Sequence, residues 1–161
     1  MSSPTARLAE LGLTLPPVAV PLAAYVPAVR VGDLVHTSGQ LPTRDGRLLA
    51  TGKVGAEVSP DDAAGYARVA ALNGLAAVAE QAGGLDNVLR VVKVVVFVAS
   101  ATDFTAQAQV ANGASELLGE ILGEAGRHAR SAVGMAVLPL DAPVEVELIA
   151  QVAAQPRVQL V

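Results

Sequence analysis

Residues 59–99 read "SPDDAAGYARVAALNGLAAVAEQAGGLDNVLRVVKVVVFVA". Two elements follow one another here. Ser59 can cap a helix, Pro60 presets its first φ, and Asp61 and Asp62 suit the positive end of the helix dipole. The spacing predicts a helix to Ala82 that stops at Gly83-Gly84. Tyr66, Val69, Leu72, Leu75 and Val78 recur at about three-residue steps and are the expected buried stripe. Gly65 and Gly74 each cost about 1 kcal/mol relative to alanine, which close approach to a sheet would offset. Residues 88–99 are rich in β-branched side chains and predict a strand.

Outward from this unit, Ser3-Pro4 starts a short helix ending near Gly12. Repeated prolines then preclude a continuous central strand. Residues 24–40 read as a β-hairpin turning at Gly32-Asp33, and residues 43–55 as a polar, glycine-rich loop. Beyond the strand, a second helix is expected from Thr102-Asp103 to about Leu122. The stretch 127–150, "RHARSAVGMAVLPLDAPVEVELIA", reads as a hairpin turning at "LPLDAP". The order predicts one α+β domain over residues 1–161. Its mixed sheet carries two helices on one face and leaves the other for a partner subunit.

Composition narrows the function. The chain has 161 residues, 52% hydrophobic and 16% charged, enough for a real core. No apolar run approaches the ~20 residues of a membrane helix, and the N-terminus lacks a signal-peptide core. A cytoplasmic protein without membrane contact is expected. There is no cysteine, which removes disulfides, thiolate zinc sites and cysteine nucleophiles. Only two histidines, His36 and His128, are present, so a metal site of the usual histidine-rich kind is disfavoured. Net charge is −4, with two tyrosines, two phenylalanines and no tryptophan, which argues against nucleic-acid binding.

The 127–150 stretch holds the candidate chemistry. On a strand, Glu145 and Glu147 face away from Val144, Val146 and Leu148. Arg130 shares its face with Ala132, Gly134 and Ala136, small residues that leave room for a ligand. The bland alternatives are concrete. Alternating glutamates ordinarily mark a solvated face, and an arginine at a strand start is ordinarily a surface residue. His36 reads as structural, His128 as a loop residue, and Ser38 as an ordinary turn residue.

Four segments in order resemble the YjgF/RidA-like family of imine deaminases, also labelled endoribonuclease L-PSP. They are "AAYVPAVRVGDLVHTSGQLP" (23–42), "VVKVVVFVASATDF" (91–104), "ANGASELLGEILG" (111–123) and "ARSAVGMAVLPLDAPVEVELIA" (129–150). The resemblance implies a chorismate-mutase-like fold with a trimeric barrel core. It implies clefts between subunits, no cofactor or metal, and hydrolysis of 2-imino and enamine acids to 2-oxo acids and ammonia. Arg130, followed by Ser131, would grip the substrate carboxylate, and Glu145 would handle the attacking water. Tyr25, Ser38, Gly39 and Asn112 match residues lining the family's pocket. The chain departs from the family at Ala23-Ala24, where Gly-Pro is frequent, and at Ala132, where cysteine is frequent. It also has a longer segment before Arg130 and an N-terminal extension over about residues 1–17.

The chemistry of the residues suits that role. A guanidinium fork matches a carboxylate with two parallel hydrogen bonds. An imine carbon is already electrophilic, so orientation, a placed water and proton transfer suffice. If 127–150 is a hairpin, Glu145 lies opposite about Ala136. Arg130 is then about six residues away, roughly 20 Å at ~3.3 Å per residue. The spacing therefore predicts that the two meet only across a subunit boundary. A ribonuclease, a non-enzymatic small-acid-binding trimer, and a hydrolase of other acyl or carbamoyl compounds are the competing readings.

Overall fold

The computed structural model describes residues 2–21 and 23–154; the rest of the expected 1–161 domain lies outside the described residues. Helix α1 (Pro4–Glu10) starts on Ser3, whose hydroxyl accepts from the Ala6 amide, and Gly12 follows it with φ +69°. Strands β1 (Ala28–Val31) and β2 (Leu34–Thr37) form the expected hairpin, turning at Gly32 with φ +63°. Residues 43–55 are more ordered than a loop. They hold a short ribbon of β3 (Thr43–Arg44) and β4 (Arg47–Leu48). Its turn, Asp45-Gly46, has positive φ at both residues, the geometry that matches strand twist.

Helix α2 (Pro60–Ala82) has the expected ends: Ser59 accepts from the Asp62 amide, and Gly83 closes the helix in the left-handed conformation. Its buried face differs from the expected stripe. Leu75 and Val78 are buried, but Tyr66, Val69 and Leu72 are only partly so. Ala63, Ala67, Ala70, Ala71 and Ala77 are fully buried instead. Small side chains let the helix lie close, so contact is made at short range rather than through large residues. Gly74 shows this, since a Cβ there would come within 3.0 Å of Leu148 Cδ1. Gly65 has open space around it, so nothing offsets its propensity loss. Helix α3 (Gln107–Leu122) begins later than Thr102-Asp103 and has no side-chain cap. It crosses α2 at Gly113, where a Cβ would lie 1.9 Å from the Ala64 carbonyl oxygen.

The sheet corrects the expected terminal hairpin. Strand β5 (Val88–Ala99) lies between β6 (Ala129–Met135) and β7 (Val144–Val152), giving the order β1-β2-β7-β5-β6. β5 runs parallel to β6 and antiparallel to β7, so the last two strands never touch as a pair. The long β-branched strand uses both edges, and the turn at Pro139–Asp141 carries the chain past its end. The result is a mixed α+β sheet with α2 and α3 on one face. Val94, Val96 and Val98 of β5 and Val144, Val146 and Leu148 of β7 point into that helical layer. Among the described residues, no helix is long and apolar enough to cross a membrane.

Candidate active site

The register decides where each predicted residue points. Arg130 pairs with Val94, and paired neighbours share a face, so Arg130 points toward the helices. Its guanidinium reaches α3. Nη1 donates to Asn112 Oδ1 at 2.9 Å and to Ser115 Oγ at 3.1 Å, and Nη2 donates to the Ala108 carbonyl at 3.3 Å. All these acceptors are neutral. Among the described residues, no carboxylate lies within ion-pair distance of Arg130.

Glu145 pairs with Phe97 and points to the open face. It is partly buried. Burial, and secondarily the charge of Glu147, raises its carboxyl above the ordinary range. Gly39 is its floor: a Cβ at that glycine would lie 1.7 Å from Glu145 Oε1. A bridge between Gln40 and Val146 fixes this approach from both sides. Ser38 donates its hydroxyl to the Val26 carbonyl at 2.6 Å, tying down the segment that carries the exposed Tyr25.

The predicted residues therefore fall into separate groups. Tyr25, Ser38, Gly39 and Glu145 belong to one end of β2 and β7. Arg130 and Asn112 lie on the helical side of edge strand β6. Ser131 faces opposite to its neighbour Arg130, and accepts from Lys93 Nζ at 2.9 Å on the open face. Two strand spacings and three residues separate Arg130 from Glu145, roughly 14 Å between Cα atoms. The hairpin behind the expected 20 Å does not exist, and that argument for an intersubunit site falls with it. Opposite faces of one sheet replace it as the reason why these two side chains share no site within one chain.

Sequence reasoning missed two neighbours of Arg130. Ser115 follows Asn112 by three residues and so shares its helix face. His128 lies just before β6, two residues ahead of Arg130, and both side chains reach Ser115. It is in a loop, as expected, but is tied down there: Nδ1 lies 2.6 Å from the Gly126 carbonyl and Nε2 lies 2.9 Å from Ser115 Oγ. Burial lowers its pKa, a hydrogen bond to Gly126 opposes that, and the charge of Arg130 adds to the lowering. His128, Arg127, Arg130, Ser115 and two glycines line a cavity of about 320 Å³. Among the described residues, no cluster of three or more metal-ligating side chains occurs.

Comparison with known proteins agrees with this architecture. Residues 5–152 match the family model described as "YjgF/chorismate_mutase-like, putative endoribonuclease". Protein TCP17 of Trypanosoma cruzi is 45% identical over 147 residues, covering 91% of this chain and 92% of TCP17. The Agrobacterium tumefaciens protein Atu1372, of unknown function, superposes with a TM-score of 0.85 at 46% identity, covering 92% of each chain. Escherichia coli TdcF, solved with bound serine, gives 0.60 at 29% identity over 85% of this chain and 93% of TdcF. The match spans nearly all the described residues, and the chain belongs to the YjgF/chorismate mutase-like family.

Proposed function

We propose that this protein is a cytoplasmic, cofactor-independent hydrolase. It would convert 2-imino and enamine acids, such as 2-iminopropanoate and 2-iminobutanoate, to 2-oxo acids and ammonia. The active unit is a homotrimer, and each site joins Arg130 and Asn112 of one subunit to Glu145, Gly39, Ser38 and Tyr25 of the next. Arg130 carries the reading. It is a rigid fork held by neutral acceptors beside a cavity, with its charge left uncompensated among the described residues. A substrate carboxylate supplies the missing charge with bidentate geometry. Serine bound to TdcF is a small amino acid of the same kind.

The chemistry balances without a metal. Glu145 takes a proton from water as the oxygen bonds to the imine carbon. That proton passes to nitrogen, giving a carbinolamine; the hydroxyl proton then moves to nitrogen by way of Glu145, the C=O bond forms as the C–N bond breaks, and ammonia leaves the 2-oxo acid. A carboxyl raised by burial suits a group that both accepts and returns a proton. The family description and the basic lining of Arg127, His128 and Arg130 favour a ribonuclease as the second reading.

The test generates 2-iminobutanoate in situ and follows the 2-oxo acid. Wild type should accelerate hydrolysis, and Arg130→Ala and Glu145→Ala should each abolish it with the oligomer intact. Co-refolding the two variants at equal amounts should restore about one quarter of wild-type activity, the share of interfaces with both native residues in a random cyclic trimer. No recovery in verified mixed trimers would reject the shared site. RNA cleavage that survives both substitutions, without imine hydrolysis, would favour neither site residue and overturn the deaminase reading.

A further inference from the structure

Four groups form a directional chain behind Arg130. A carbonyl can only accept, so the 2.6 Å contact with Gly126 places a proton on His128 Nδ1. In the neutral ring, Nε2 is then an acceptor and receives the Ser115 hydroxyl at 2.9 Å. With its own proton spent there, Ser115 Oγ offers its lone pairs to Arg130 Nη1 at 3.1 Å. Donors and acceptors alternate from the backbone to the guanidinium with none unmatched. A serine with a free rotor would lack this fixed polarity.

We propose that Ser115 and His128 are positioning residues for Arg130, and that the neutral Nδ1–H form of His128 sets the orientation in which the guanidinium receives a substrate carboxylate. This role rests on the reading that Arg130 binds that carboxylate. The other groups around His128 on the cavity wall are Arg127 and Arg130 flanking it in sequence, Gly126 from the preceding turn, and Ser115 and Gly119 from α3. Arg127 is exposed and pairs with Glu124 at 3.2 Å. Arg130 is thus the charge that His128 senses most directly, in keeping with the lowered pKa of the ring. Protonation of Nε2 would turn that acceptor into a donor and break the alternation at Ser115, so the chain is complete only with the neutral Nδ1–H ring.

The experiment uses the full chain with 2-oxobutanoate as probe, and the in situ imine assay beside it. With only two histidines, the imidazole NMR signals of His128 are read against His36 as internal reference. Wild-type His128 should show the Nδ1–H tautomer, and saturating 2-oxobutanoate should shift its imidazole signals while those of His36 stay put. Ser115→Ala and His128→Phe should each raise KM about fivefold to tenfold with kcat within about twofold, the mark of lost binding rather than lost chemistry. His128→Gln, whose amide oxygen can still accept from Ser115, should keep KM within about twofold to threefold of wild type. Wild-type KM in both Ser115→Ala and His128→Phe, with an unmoved His128 signal, would overturn the role while leaving the deaminase reading in place. A wild type that neither hydrolyses the imine nor binds 2-oxobutanoate would overturn the functional reading, and this role with it.

Discussion

An alanine at position 39 would put its Cβ 1.7 Å from Glu145 Oε1, 2.6 Å from Cδ and 2.9 Å from Cγ. Side-chain Cβ atoms essentially never approach another heavy atom closer than 3.0 Å, so Oε1, at 1.7 Å, must retreat by more than an ångström. The obstructing atoms belong to the free end of a flexible side chain, so the backbone need not move. Gly39 is also outside the positive-φ region, so alanine fits its backbone. The replacement even gains about 0.4–1 kcal/mol by restricting the unfolded chain. For a chain of this size that leaves Tm within about 4 °C of wild type. Catalysis should respond differently, because a misplacement of about 1 Å can cost about 10²-fold. Gly39→Ala should therefore lose roughly 10²-fold in kcat/KM for 2-iminobutanoate while calorimetry shows an intact fold. In a double-mutant cycle, adding it to Glu145→Ala should cost nothing further. Wild-type kcat/KM in Gly39→Ala would refute the assignment of Glu145, and additive losses would show that Gly39 acts through something else.

Gly113→Ala is the structural counterpart: its Cβ meets backbone at 1.9 Å, which cannot swing aside, so about 3 kcal/mol of stability should be lost. Thermal unfolding should show it as a Tm lower by roughly 6–12 °C. Glu147→Gln removes a charge that raises the Glu145 pKa, so the acid limb of the pH–rate profile should move to lower pH. Glu145→Gln should abolish hydrolysis yet raise Tm at neutral pH. The raised pKa means that Glu145 contributes stability below its unfolded pKa and loses it as pH rises through the folded value, a loss glutamine does not suffer. Equal melting curves for wild type and Glu145→Gln at pH 5 and pH 8 would contradict that sign.

What the sequence made legible was local. Ser59, Pro60 and Gly83 act through neighbours within four residues, and α2 begins and ends where they say. The alternation of Glu145 against Val144 and Val146 is equally local, and those faces are as read. Strand neighbours are another matter. A short link from Met135 to Val144 suits a hairpin, and nothing in its residues announces that β5 will occupy the gap. The face shared by Arg130, Ala132 and Gly134 was readable as shared, but its direction, toward α3, depends on that same pairing. The stripe expected on α2 equates size with burial, whereas a close-lying helix buries alanine.

The place of β7 in the sheet carries a cost during synthesis. Among the described residues it comes last in sequence, yet it is the one that joins the β1-β2 hairpin to β5. Until residue 152 has left the ribosome, the nascent chain holds two unfinished edges, at β2 and at β5, each with open backbone donors and acceptors. Val35 on one side and Val94 and Val96 on the other wait uncovered for the same partner. A release before residue 144 therefore yields a chain whose sticky edges can pair only with each other or with a neighbour, the situation from which aggregates start. Correct pairing thus depends on β7 arriving before β5 finds a substitute.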